Sequence, residues 1–199
     1  MPNLTLITTL YTLDPVLVCI TRLSPSRVIV ITEDGAVDKK AQAERILETT
    51  FGKVIEIQKL ITSLYDPVMV AQDVADIIEQ EHDMGNQVIL NVSGGRKPQA
   101  FGSLFGAYAR SEMVKKVVYV KEEDNAMIEF PILGFNISPT KKAILEHIKQ
   151  GEKAVSKIAV KVDISRGMAY NHIRELKEMG YISDEDGFDI TDSGRLAVI

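Results

Sequence analysis

Six stretches of apolar, largely β-branched residues recur along residues 4–132, and segments with the spacing of amphipathic helices separate most of them. That alternation constrains the fold more than any other feature of the chain. The run Arg27-Val28-Ile29-Val30-Ile31-Thr32 is apolar at consecutive positions, a pattern that suits a strand buried on both faces. Further strands are expected at Leu4–Leu10, Val54–Ile57, Val88–Val92, Val117–Val120 and Met127–Ile132. The polar turn Glu122-Glu123-Asp124-Asn125 makes the last of these a hairpin edge. Helices are expected at Asp14–Leu23 (Asp14 as N-cap, Pro15 at the first helical position), Asp38–Thr50, Asp66–His82 and Pro98–Ser111. Strands alternating with helices of this length form a mostly parallel sheet with helices on both faces and right-handed crossovers, a Rossmann-like α/β fold.

Such a sheet binds ligands beyond the carboxyl ends of its strands, where the strand order reverses. For the common order 3-2-1-4, that point lies between the first and fourth strands. Two segments meet there. The first is Thr8-Thr9-Leu10-Tyr11-Thr12, and the second is Asn91-Val92-Ser93-Gly94-Gly95-Arg96-Lys97-Pro98. In the second, paired glycines allow close backbone approach and consecutive N–H groups. A following helix directs its positive dipole end to the same place. Arg96 and Lys97 supply full charges and Ser93 a hydroxyl, so the chemistry favours a phosphate. The competing reading is a plain strand-to-helix turn with solvated cations. The sequence contains neither G-x-x-x-x-G-K-[ST] nor a G-x-G-x-x-G after the first strand, which argues against a P-loop NTPase and a dinucleotide-binding dehydrogenase. Gly102 and Gly106, four residues apart, are expected to allow close packing against the sheet or a partner subunit.

Composition narrows the classes further. The chain has 199 residues with a formal charge of -5, one cysteine (Cys19) and three histidines. A single cysteine excludes an internal disulfide framework and a cysteine-based zinc site, and fits a reducing cytoplasm. The histidines lack metal-ligand spacing, and no catalytic constellation of Ser/His/Asp or paired carboxylates is discernible. No apolar run reaches the ~18–20 residues needed to span a bilayer, so no membrane association is expected. The acidity is localised. Residues 1–137 carry 13 Lys/Arg and 18 Asp/Glu, while residues 138–199 carry 10 of each.

The character of the sequence changes at Phe130-Pro131-Ile132-Leu133-Gly134-Phe135-Asn136-Ile137-Ser138-Pro139, giving domains at 1–134 and 135–199. The second domain reads as a winged helix-turn-helix. One helix follows the cap Ser138-Pro139 and stops at Gly151, a second covers Val155–Val162, and Ser165 caps a third that ends at Gly180. Ala169, Ile173 and Leu176 form the core stripe of that third helix. Arg166, Gly167, Tyr170, Asn171, Arg174 and Lys177 occupy the opposite arc, where a major-groove helix carries its contacts. Ser165, Arg166, Tyr170, Asn171, Arg174 and Lys177 are the expected DNA contacts. Strands Tyr181–Ser183 and Phe188–Ile190 form the wing. Asp163 stands at a turn position where glycine is usual, and Asp184, Glu185 and Asp186 make the wing tip acidic, so the wing is not expected to follow the minor groove.

Asn91-Val92-Ser93-Gly94-Gly95-Arg96-Lys97 resembles the signature of CRISPR-associated Rossmann-like (CARF) domains. The residues from Ala154-Val155-Ser156-Lys157-Ile158-Ala159 to Gly180-Tyr181-Ile182 look like a winged helix of the MarR-like sort. Together they resemble the archaeal-type CRISPR-associated transcriptional regulators over nearly the whole chain. The resemblance implies a cytoplasmic homodimer of antiviral defence that has no cofactor. It would bind a cyclic oligoadenylate, cyclic tetra-adenylate above all, across the two-fold axis and bind operator double-stranded DNA through the winged helix. Ligand contacts would come from Thr9, Leu10, Tyr11, Thr12, Asn91, Ser93, Gly94, Gly95, Arg96 and Lys97. Two alternatives stand beside it: a metal-independent ring nuclease that cleaves the ligand slowly, and a regulator sensing another anionic metabolite.

Overall fold

The computed structural model describes residues 3–35, 38–184 and 188–199. The chain divides into two compact units, Met1–Gly134 and Phe135–Ile199.

The first unit contains β1 (Leu4–Thr9), α1 (Asp14–Leu23), β2 (Arg27–Thr32), α2 (Asp38–Phe51), β3 (Glu56–Ile61), α3 (Pro67–Asp83), β4 (Gln87–Asn91), α4 (Lys97–Ala109), β5 (Val114–Val120) and β6 (Met127–Phe130). Six strands form one sheet in the order β3-β2-β1-β4-β5-β6. All neighbours are parallel except β5 and β6, which pair antiparallel as the expected edge hairpin. The consecutive apolar residues of the strands divide between two cores. Leu6, Val28, Val30, Ile89 and Val118 face α1 and α2, where they meet Val16, Cys19, Ile20, Ala43 and Leu47. Ile7, Ile29, Ile31, Leu90 and Val117 face α3 and α4, where they meet Val70, Val74, Ile78 and Ala107. Each fully buried Val, Leu or Ile side chain contributes about 1.5–3 kcal/mol, so neither face can be left open to water. Burial also pushes the Cys19 thiol up to about 12, which leaves it neutral and unreactive at ordinary pH.

Several element boundaries differ from those expected. β3 covers Glu56–Ile61 rather than 54–57. Val54 and Ile55 donate their N–H groups to the Phe51 carbonyl and close the end of α2. The strand then runs through Gln58 and Lys59 because it is an edge, where polar residues are tolerated. Lys59 Nζ lies 3.0 Å from both Glu44 and Glu48 carboxylates. Asp14 is the first residue of α1, and Leu13 stands at the N-cap without a side-chain bond. By contrast, Asp66 caps α3 and accepts from the N–H groups of Val68 and Met69. Gly102 and Gly106 pack on α3 rather than on the sheet. A Cβ at Gly102 would lie 2.6 Å from Val70 Cβ, and one at Gly106 would lie 2.7 Å from the Ala71 carbonyl.

The second unit contains α5 (Pro139–Lys149), α6 (Val155–Lys161), α7 (Arg166–Glu178), β7 (Ile182–Ser183), β8 (Asp189–Ile190) and α8 (Asp192–Ala197). Its core is built from Ile144, Leu145, Ile148, Ile158, Ile173, Leu176, Ile182 and Ile190. β7 and β8 pair antiparallel at Ile182–Ile190 and Ser183–Asp189. They are shorter than the sequence implied, and Glu185 and Asp186 of the expected acidic tip lie outside the described residues. Ser138 and Ser165 accept from Lys141 and Met168 N–H groups at the starts of α5 and α7. Asp163 adopts φ 54° between α6 and α7, a left-handed conformation that Asp tolerates better than most side chains.

The glycine contacts give a paired expectation. Gly102→Ala forces a methyl group into Val70 and the Pro67 carbonyl, and should lower stability by about 1–3 kcal/mol. Gly167→Ala, where no atom lies within 4 Å of the added carbon, should raise it by about 0.4–1 kcal/mol. Urea unfolding of the two variants measures both signs.

Candidate functional site

β1 and β4 are adjacent and parallel at the centre of the sheet, and their following loops leave in opposite directions toward α1 and α4. The crevice between these loops is tied together from below. Thr9 Oγ1 donates to the Asn91 carbonyl at 3.4 Å and accepts from the Gly94 N–H at 3.2 Å. Asn91 Nδ2 donates to Thr8 Oγ1 at 3.0 Å, while Asn91 Oδ1 accepts from the Ser93 N–H and the Ser93 hydroxyl. Ser93 Oγ also accepts the Val120 N–H at 2.7 Å, reaching across to β5. Thr8, Thr9 and Asn91 are completely buried, so these bonds act where water cannot compete for them.

This web explains the glycines. A Cβ at Gly94 would lie 2.7 Å from the Thr9 carbonyl oxygen and 3.1 Å from the Tyr11 nitrogen. Gly95 has φ 75°, a conformation that costs glycine little. The turn then feeds α4, whose first N–H groups have no intrahelical carbonyl to meet. Arg96 stands at the N-cap without a side-chain cap bond, and both Arg96 and Lys97 are exposed.

Cavities flank the turn. One of about 410 Å³ is lined by Tyr11, Thr12, Asp14, Pro15, Ser93, Gly94, Gly95, Val120, Lys121, Glu122 and Asn125. A second of about 400 Å³ lies along α4 and β5. Tyr11, Thr12, Ser93, Gly94 and Gly95 thus line the first cavity together, with Arg96 and Lys97 on the same loop. Leu10, Thr9 and Asn91 do not reach its surface: Leu10 belongs to the core between the sheet and α1, and the other two support the loops.

Four residues at the site carry no obvious signal in the sequence. Lys40 is 2% exposed and pairs with Glu33, which also accepts from Gln99 Nε2 at 3.3 Å. Gln99 is fully buried, and its Oε1 has no partner among the described residues. Lys39 Nζ lies 5.5 Å from the centroid of the exposed Tyr11 ring, in cation–π range. The available clue was positional: Lys39 and Lys40 open the helix after β2, at the same end of the sheet as the glycine turn.

On α7, Arg166, Tyr170, Asn171 and Arg174 are exposed on one arc, and Ser165 is engaged as the cap. Arg174 Nε is 4.0 Å from Glu178 in an open ion pair, of the kind worth little in water. Lys177 is more constrained. Its Nζ lies 2.7 Å from Asp184 and 5.3 Å from the Phe188 ring centroid, which links α7 to the wing. Lys141 of α5 hydrogen-bonds Glu175 and holds its carboxyl below the usual range.

A Rossmann-like domain, followed by a winged helix-turn-helix, is the class this fold defines. Residues 5–125 match the family described as HFX_2341_N:-like, N-terminal, and the chain belongs to that family. Residues 138–184 match the bacterial regulatory protein, arsR family, where the sequence had looked MarR-like. No protein of curated function matches the chain.

Among solved structures, Csm6 from Enterococcus italicus bound to cyclic hexa-2′-fluoro-hexa-dAMP aligns with a TM-score of 0.54 and 12% identity, covering 90% of this chain and 55% of that one. Protein VC1899 from Vibrio cholerae gives a TM-score of 0.54 and 10% identity over 98% of this chain and 64% of that one. Can2 from Sulfobacillus thermosulfidooxidans in complex with cyclic tetra-adenylate gives 0.48 and 17% identity, covering 98% and 63%. The chain therefore spans less than two thirds of the length of these structures. The first two likenesses establish the fold. Among the described residues, no helix is long and apolar enough to cross a membrane.

The hydrogen bonds of Ser93 yield a test. Ser93→Ala leaves the part-buried Val120 N–H without its acceptor, which should cost about 1–3 kcal/mol. Thermal or urea unfolding measures the loss. Unchanged stability would mean that Ser93 does not hold the turn.

Proposed function

We propose that this protein is a ligand-gated DNA-binding regulator whose Rossmann-like domain takes an anionic nucleotide. Exposed Arg96 and Lys97, placed directly after the Gly94–Gly95 turn at the start of α4, carry the reading. Two free cations beside open helix N–H groups favour bound phosphate. The ligand proposed is a cyclic oligoadenylate, cyclic tetra-adenylate first, the type of molecule that the Can2 structure holds. A two-fold homodimer suits such a ring: its four phosphates carry about four negative charges, and two copies of Arg96 and Lys97 supply four positive ones. No cofactor takes part.

The exposed arc of Arg166, Tyr170, Asn171 and Arg174 supports duplex recognition by α7. Ligand would change DNA affinity by binding differently to two arrangements of the dimer. The reading places the protein in the cytoplasm, in CRISPR-linked antiviral regulation.

Titrating the purified protein with cyclic tetra-adenylate in a calorimeter, followed by chromatography of the ligand, tests the central claim. Binding without turnover is the expected outcome. Turnover would make the protein a ring nuclease, and no heat would remove the cyclic ligand. Arg96→Ala should weaken binding by at least tenfold, and an effect within twofold would overturn the phosphate assignment. On DNA, Arg174→Ala should weaken binding to a mixed-sequence duplex and lower the log–log salt slope by about 0.9, the share of one phosphate contact. Fluorescence anisotropy across a salt series measures both.

A further inference from the structure

Gly167 is the second residue of α7 and is exposed. Every other described glycine has a local cause: each either adopts a positive φ or would place a Cβ within 3.1 Å of a neighbouring atom. Gly167 has neither. It stands within the helix, outside the positive-φ region, and no described atom lies within 4 Å of an added carbon. Glycine is a poor helix residue beside alanine, so the fold of the second unit gives no reason for it here. Its position does. Tyr170, Asn171 and Arg174 follow at i+3, i+4 and i+7, all exposed, and Arg166 precedes it. The missing side chain therefore leaves a bare step at the N-terminal end of the outward arc.

We infer that Gly167 is a close-approach position: without a Cβ there, the first turn of α7 settles against the base edges of a duplex, near enough for the Asn171 amide to bond to a base. The reach of the neighbouring side chains selects this role. Arg166 and Arg174 are long and can meet DNA from a helix held well away from it. Asn171 is short, and its amide pairs with a base such as adenine only when the helix backbone lies close. A methyl group on the same face, one turn before Asn171, would hold the helix off. The N-terminal part of a major-groove helix is also the part that meets base edges. A second copy of the chain is the poorer occupant, because two such arcs would set their arginines against each other. This inference rests on the DNA reading above and names a specificity-determining residue within it.

The test begins by enriching duplexes from a randomised pool on the wild-type protein, with and without cyclic tetra-adenylate. Fluorescence anisotropy then compares the enriched duplex with a mixed-sequence one. Gly167→Ala should bind the enriched duplex about tenfold more weakly, the share of one amide–base contact. It should bind the mixed-sequence duplex within twofold of wild type, with an unchanged salt slope, because no cation is lost. The same variant should resist urea better than wild type, so the loss cannot come from unfolding. Gly167→Leu should lose more, since its longer side chain holds the helix farther away. Binding of the enriched duplex by Gly167→Ala within twofold of wild type overturns the assignment. So does an equal loss on both duplexes, which would set Gly167 against the sugar–phosphate backbone. Lower stability in urea overturns it too, because the glycine would then be a requirement of the fold. If wild type binds the mixed-sequence duplex but enriches no sequence, the DNA reading stands and the close-approach role falls. If wild type binds no duplex under either condition, both fall.

Discussion

Burial of the parallel sheet on both faces is the constraint from which the rest of the first domain follows. Val28 and Val30 point to one core and Ile29 and Ile31 to the other, so helices must cover both sides of β2. Winding helices onto both faces forces the chain to reverse direction once, and it does so between β1 and β4. The loops there leave in opposite directions and cannot fill the space between them. The cavity at Gly94 and Gly95 is thus a by-product of core formation, with two exposed cations beside it at the start of α4.

That crevice is held open by polar bonds rather than by apolar packing. Thr9 and Asn91 end the two central strands fully buried and bind each other's loops, and Ser93 extends the connection to β5. A floor of this kind fixes the geometry of the turn through bonds within the chain itself. It also separates two kinds of residue that lie close together in sequence. Thr9, Leu10 and Asn91 build the site, Ser93 both ties the turn and lines the cavity, and Tyr11, Thr12, Gly95, Arg96 and Lys97 present it.

The winged-helix unit divides its charges in a similar way. Lys141 with Glu175, and Lys177 with Asp184 and Phe188, join α7 to its neighbours. Arg166 and Arg174 remain outward. The neutral charge of residues 138–199 therefore conceals a spatial sorting, with the part-buried lysines spent on internal pairs and the arginines left on the outward arc.

The sequence by itself determined the periodic pattern, and through it the sheet order, the two helical layers, the position of the switch point and the capped third helix of the second domain. Those features depend on local apolar spacing, caps and glycines, which are legible residue by residue. The register of β3 escaped it because an edge strand buries too little to need an apolar run, and the packing of Gly102 and Gly106 on α3 escaped it because a small residue does not name its neighbour. Only the tertiary structure decided which polar residues at the site face inward. Thr9 and Asn91 carry ligand-competent groups, yet their hydrogen bonds are consumed beneath the turn. Lys40 and Glu33 are seven residues apart on an ordinary strand-to-helix connection, yet they form a buried pair. Residue type reveals what a side chain can bond to, but the fold sets which partner is within 3 Å and whether water can reach the same atom.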